Sequence, residues 1–129
     1  MNARKDILVT GCCGGMGSAI CKKLMEQNYR VFGIDKKINL ESTENFLTFE
    51  CDVTSTESVK NVFNKIKEKT TSLFGIVHTS GIYDLDSLIE IDENRFDKIF
   101  QVNIFGVYRI NKEFFSLLNN ESRIIITTS

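Results

Sequence analysis

Thr10-Gly11-Cys12-Cys13-Gly14-Gly15-Met16-Gly17 is the stretch on which the reading of this chain turns. It follows a short apolar run, Ile7-Leu8-Val9, and precedes a helical pattern. A strand, a glycine-rich turn and a helix start together make a cradle for an anion. Glycine lets the backbone turn sharply and approach a phosphate closely. The free N–H groups of the new helix then face that anion. A second apolar run, Val31-Phe32-Gly33-Ile34, ends in Asp35, twenty residues after Gly15. A carboxylate there accepts hydrogen bonds from both hydroxyls of an adenine ribose. Turn and acid together point to a dinucleotide site.

The G-x-G-x-x-G spacing of the dinucleotide fingerprint does not occur in the turn. What stands is T-G-x-x-x-G-x-G, through Gly11, Gly15 and Gly17, and Gly14 allows T-G-x-x-G-x-x-G equally well. A glycine turn that merely closes a βα unit has the same composition. Asp35, at the end of the next apolar run, separates the two readings.

A chain of 129 residues suits one domain, residues 1–129, with one core. The net charge is −1 and Lys and Arg are scattered, which argues against a nucleic-acid partner. No apolar run reaches membrane-spanning length. The first residues carry no apolar signal region, so the expected location is cytoplasmic. Cysteines stand at positions 12, 13, 21 and 51. They read as reduced thiols used as small residues. No C-x-x-C pair occurs and the lone His78 is distant, so no metal is expected. Proline, repeats and linkers are absent.

Along the chain, short apolar segments alternate with amphipathic ones. Strands are expected at 7–10, 30–35, 47–51, 74–78 and 123–128. A helix is expected at 16–28. A second, capped by Thr54 with Glu57 completing the box, runs to about Lys69. A long third helix starts at Asp92, with Phe96, Phe100, Asn103, Ile110, Phe114 and Leu117 on one stripe. The polar stretch 36–46 is expected to hold a clipped helix or a single turn. This alternation predicts an α/β, Rossmann-like, doubly wound parallel sheet of strand order 3-2-1-4-5, truncated after the fifth strand. Its last strand, Ile124-Ile125-Ile126, would be a bare apolar edge. Ligands of such sheets bind at the carboxyl ends of the strands. The glycine turn, Asp35, Asp52, Ser80-Gly81 and Ser129 all fall there.

These residues resemble the short-chain dehydrogenase/reductase family, over the whole chain but only over the N-terminal half of a usual family domain. Thr10-Gly11 to Gly15-Met16-Gly17, with Cys13 between them, is similar to the family's cofactor loop. Asp35 resembles its NAD-selecting acid, with Lys36 and Lys37 following. Cys51-Asp52-Val53 resembles the motif in which the Asp side chain and the Val backbone hold adenine. His78-Thr79-Ser80-Gly81-Ile82 stands where the family has Asn-Asn-Ala-Gly-Ile. The segment from Phe96 to Gly106 resembles the one carrying a catalytic asparagine, here Asn103. The strand ending at Ser129 resembles the one delivering a catalytic serine. The resemblance implies that Asn103 orders water in a proton relay and that Ser129 holds the substrate oxygen.

Three departures stand out. His78-Thr79 replaces the double asparagine, so that strand needs other contacts. The segment after Asp35 is short. The family's Tyr-x-x-x-Lys pair does not follow Ser129. Tyr108 and Lys112 have that spacing, but they precede the serine strand and read as ordinary neighbours on a helix.

The resemblance thus implies an NAD-dependent oxidoreductase, with NADP less favoured, acting on an alcohol or carbonyl and forming a homo-oligomer in its full-length form. Here it would lack the catalytic Tyr/Lys segment. The alternative is a dinucleotide-binding module without catalysis, or a truncated, inactive paralogue. A sugar-nucleotide epimerase relative is a third reading, favoured by Gly11-Gly14-Gly17 and His78 and opposed by the 96–106 segment.

Overall fold

The computed structural model describes residues 4–128. Strand β1 (Asp6–Thr10) is buried at all five positions, because it lies mid-sheet with both faces covered. Helix α1 (Gly15–Glu26) follows the glycine turn, then β2 (Arg30–Asp35) and β3 (Phe46–Glu50). Helix α2 (Thr56–Lys67) leads to β4 (Gly75–His78). Every pairing is parallel and the strand order is β3-β2-β1-β4-β5, with β5 at Arg123–Ile126. The expected topology is therefore the observed one. The direction of winding reverses between β1 and β4, which opens a crevice at their carboxyl ends.

Strand alternation divides the core in two. Leu8, Phe32 and Ile76 face α2 and the later helix, packing with Val59, Val62, Ile66, Ile110 and Phe114. Ile7, Val9, Val31 and Val77 face the other way, with Cys12 and Cys21 and the α1 residues Ile20 and Leu24. A strand buried on both faces reads as a continuous apolar run, as Ile7-Leu8-Val9 does.

Three local expectations are refined. First, of the clipped helix or single turn expected between β2 and β3, the turn forms, at residues 44–45, and no helix does. The segment is polar and held by an isolated Thr43–Phe46 bridge and by Ser42 against Thr48. Second, Ser55, not Thr54, caps α2, its hydroxyl accepting from Ser58 N at 3.1 Å. The Thr54 hydroxyl donates instead to Asp52 at 2.6 Å. Third, the long helix is not continuous. Asp92 does cap its start, accepting from Arg95 N, but α3 (Glu93–Phe100) passes through a π turn, Gln101–Phe105, before α4 (Gly106–Phe114) and a final 3-10 turn, Phe115–Leu117. A π turn inserts a residue and rotates the helix face. The apolar stripe is split accordingly. Ile110, Phe114 and Leu117 are buried, while Phe96 and Phe100 are 46% and 43% exposed. Gly106 closes the turn where a Cβ would lie 2.8 Å from Val53 Cγ2.

Strand β5 is exposed at all four positions, as the sequence pattern leads one to expect of an edge. Among the described residues, no helix is long and apolar enough to cross a membrane.

Candidate functional site

Gly11 takes a left-handed conformation, φ +70°, and turns the chain out of β1. A Cβ on Gly17 would lie 1.9 Å from Gly11 O, so the helix start rests directly on the turn. Gly15 differs: a Cβ there meets nothing within 4 Å. Gly14 is the N-cap of α1 and offers no side chain to its amides. The first N–H groups of α1 therefore keep no intrahelical acceptor and face open space beside Gly15 and Met16. That is the arrangement an anionic ligand fills.

Asp35 stands beside this turn. Its Oδ2 accepts from Cys13 N at 3.0 Å and its Oδ1 from Lys36 N at 2.8 Å. Two backbone donors thus fix the carboxylate before any ligand arrives. A cleft of about 450 Å³ runs from Gly11 and Asp35 past Asp52 and Val53 to Ser80 and Gly81. Asp52 accepts from Thr54 N and its hydroxyl, at 2.9 and 2.6 Å. The Thr54 contacts, with Lys36 and Lys98 nearby, hold the Asp52 carboxyl below its ordinary range against the opposing effect of burial. Lys98 lies on the rim of this cleft. Sequence reading passed over it, because on the amphipathic pattern it is simply a solvent-side residue of the helix.

The missing double asparagine is replaced in two ways. The Thr79 hydroxyl donates to Thr10 O at 2.6 Å, and Thr79 N and Ser80 N both donate to the Thr10 hydroxyl. These bonds tie the ends of β1 and β4 together. His78, only 3% exposed, places Nε2 2.7 Å from Asn111 Oδ1 of α4. Burial pushes its pKa below the ordinary value, opposed by the Asn111 contact.

Asn103 sits in the π turn and faces the main chain of Ile82. Its Oδ1 accepts from Ile82 N and its Nδ2 donates to Ile82 O, both at 2.8 Å. A second cleft, of about 530 Å³, opens beyond it between Met16, Ile82, Asn103 and Thr128. It shares the wall 79–82 with the first. Ser129 lies outside the described residues. Tyr108 and Lys112 line a small cleft of about 150 Å³ against α2 that shares no residue with either of these. A larger cleft, about 580 Å³, lies at the amino ends of the strands around Arg4, Arg30 and Lys69, far from the glycine turn.

The fold and this arrangement have known counterparts. A family model described as short chain dehydrogenase matches residues 5–129. The chain belongs to the short-chain dehydrogenase family. It is similar to an NADPH-dependent 1-acyldihydroxyacetone phosphate reductase of Schizosaccharomyces pombe, 31% identical over 121 residues, covering 88% of this chain and 40% of that protein. It is also similar to an NADPH-dependent pterin aldehyde reductase of Arabidopsis thaliana, 28% identical over 137 residues, covering 98% of this chain and 57% of the other. The crystal structure of a short chain dehydrogenase family protein of Francisella tularensis superposes with a TM-score of 0.88 at 28% identity, covering 98% of this chain and 52% of that one. The chain spans about half the length of the relatives it matches.

Proposed function

We propose that this chain is the cofactor-binding part of a nicotinamide-dependent oxidoreductase that interconverts an alcohol and a carbonyl, with NAD preferred over NADP. The observation that carries this reading is the Asp35 carboxylate, fixed by the Cys13 and Lys36 amides beside the open helix start. The residues fit such a cofactor: free amides and the unfilled space at Gly15 suit a pyrophosphate, and Asp35 suits two ribose hydroxyls. The other residues assigned to holding it are Thr10, Gly11, Cys13, Met16 and Gly17 of the turn, Asp52 and Val53 at the adenine end, and Ser80 and Gly81 beyond.

When bound, the nicotinamide supplies hydride transfer. The protein supplies position. Asn103 anchors Ile82 between the two clefts and keeps one Nδ2 hydrogen for a relay water. Ser129 is assigned to the substrate oxygen. Tyr108 and Lys112 lie outside both clefts, and in this reading residues 4–128 bind and position. A cytoplasmic location fits four free thiols, and the full-length form is proposed as a homo-oligomer.

The preference has an opposing feature. Lys36 and Lys98 stand near the ribose end, and two similar reductases are named as NADPH-dependent. Asp35 decides in this reading because its carboxylate repels a 2′-phosphate from closer range. Calorimetry with both cofactors tests it. Tighter NAD binding is expected, with Asp35→Ala shifting preference toward NADP by at least tenfold, about 1.4 kcal/mol. Tighter NADP binding by the wild type, or no shift in the variant, removes Asp35 from the selecting role.

A further inference from the structure

The glycine turn sets two thiols side by side next to the Asp35 carboxylate. Cys12 Sγ and Cys13 Sγ stand 3.9 Å apart. A tetrahedral ion holding two thiolates at about 2.3 Å needs their sulfurs about 3.8 Å apart. A disulfide needs about 2.05 Å. At their contact distance the pair matches the edge of a metal tetrahedron. One carboxylate oxygen of Asp35 completes a triangle, the three ligand atoms lying within 4.8 Å of one another. The triangle is built into the fold. Cys12 N donates to Ile34 O at 3.2 Å and Cys13 N to the Asp35 carboxylate at 3.0 Å, so β2 holds both cysteines. Gly33 makes the room, since a Cβ there would lie 2.9 Å from Cys12 Sγ.

We infer that Cys12, Cys13 and Asp35 form a site for one thiophilic divalent cation of the zinc or cadmium class, and that its occupancy competes with the dinucleotide for Asp35. Thiolate ligands select such ions, whereas magnesium and calcium prefer oxygen. On binding, each thiol forms a metal–sulfur bond and releases one proton to solvent. No electron is transferred. Two thiolates and a carboxylate carry −3, so the ion leaves a net −1 and one open position for water. Spacing along the chain hid the site, because the third ligand comes from the next strand. Only the competition clause rests on the proposed function.

The test uses Cd²⁺ alone, added to the metal-free chain with a non-thiol reductant. Binding is read from the ultraviolet thiolate-to-cadmium charge-transfer band. The expected result is one ion per chain and two protons released per ion in weakly buffered solution. Cys13→Ser, at a half-exposed position, should weaken binding at least about tenfold, as should Cys12→Ser and Asp35→Asn. Cys51→Ser should change nothing. NAD should raise the apparent Kd for Cd²⁺. A band absent from the wild type, or undiminished in the Cys12→Ser/Cys13→Ser double variant, overturns the site. A band unaffected by NAD that calorimetry shows to be bound overturns the competition. A band formed by a chain that binds no NAD supports the metal site and counts against the cofactor reading instead.

Discussion

Two glycines of one turn carry opposite meanings. At Gly17 the chain itself forbids a side chain, because a Cβ falls on Gly11 O. At Gly15 the chain leaves the space open, so only a ligand would object. Gly17→Ala should therefore lower stability whether or not cofactor is present, at or above the upper end of the ~1–3 kcal/mol typical of overpacking. Thermal melts of the apo chain check this. An unchanged Tm would mean that helix and turn separate more easily than their contact implies. The sequence shows four glycines within residues 11–17 and does not distinguish them, since the difference lies in how α1 sits on the turn. Asp35 was legible because its place at the end of an apolar run is a local property. Lys98 and the Cys12–Cys13–Asp35 triangle were not, because each is made by segments distant in the chain.

At the scale of elements, periodicity located every strand and the three main helical segments, and it failed where side chains compete for backbone. Thr54 was a reasonable cap by pattern, but its hydroxyl serves Asp52 and the cap passes to Ser55. The π turn was illegible for a related reason: an inserted residue leaves composition unchanged while it rotates the stripe. β4 offers a prediction. His78 is buried with its pKa below the ordinary 6.5, chiefly from desolvation. Above that value the ring is neutral in both folded and unfolded chains and adds no pH dependence. Below it the unfolded chain takes up a proton that the folded chain resists, so stability falls with pH until the lower folded value is passed. Melts should show Tm declining below pH 6.5, with His78→Gln flattening the decline. Asp52 acts in a separate window, since a depressed carboxyl loses its contribution only below its ordinary 3.8. An unchanged slope in His78→Gln would show the ring to be hydrated or already charged.

For the whole molecule, strand order followed from the alternation of elements and the handedness of crossovers, and the clefts at the carboxyl ends of the strands followed from that order. The exposed apolar surface is a consequence of the same order. Among the described residues β5 is the last strand of the sheet, with Ile125 56% exposed, and an unpaired edge of this kind recruits strands. A polypeptide of residues 1–129 should self-associate with rising concentration in sedimentation, and Ile125→Lys should reduce that association. A monomer at all concentrations would show the edge to be protected. The same polypeptide, assayed with NAD and a panel of alcohols, should show no turnover, because Tyr108 and Lys112 face α2 and not the clefts. Turnover lost in Tyr108→Phe would make that pair catalytic.

Whether the turn from Gly11 to Gly17 cradles a pyrophosphate is tested most directly by titrating NAD into the wild type and Gly15→Val by calorimetry, with far-ultraviolet circular dichroism of each. Binding by the wild type and its loss in a Gly15→Val chain of unchanged helix content is the predicted result. Undiminished NAD affinity in Gly15→Val, or no binding of either nicotinamide cofactor by the folded wild type, would contradict it.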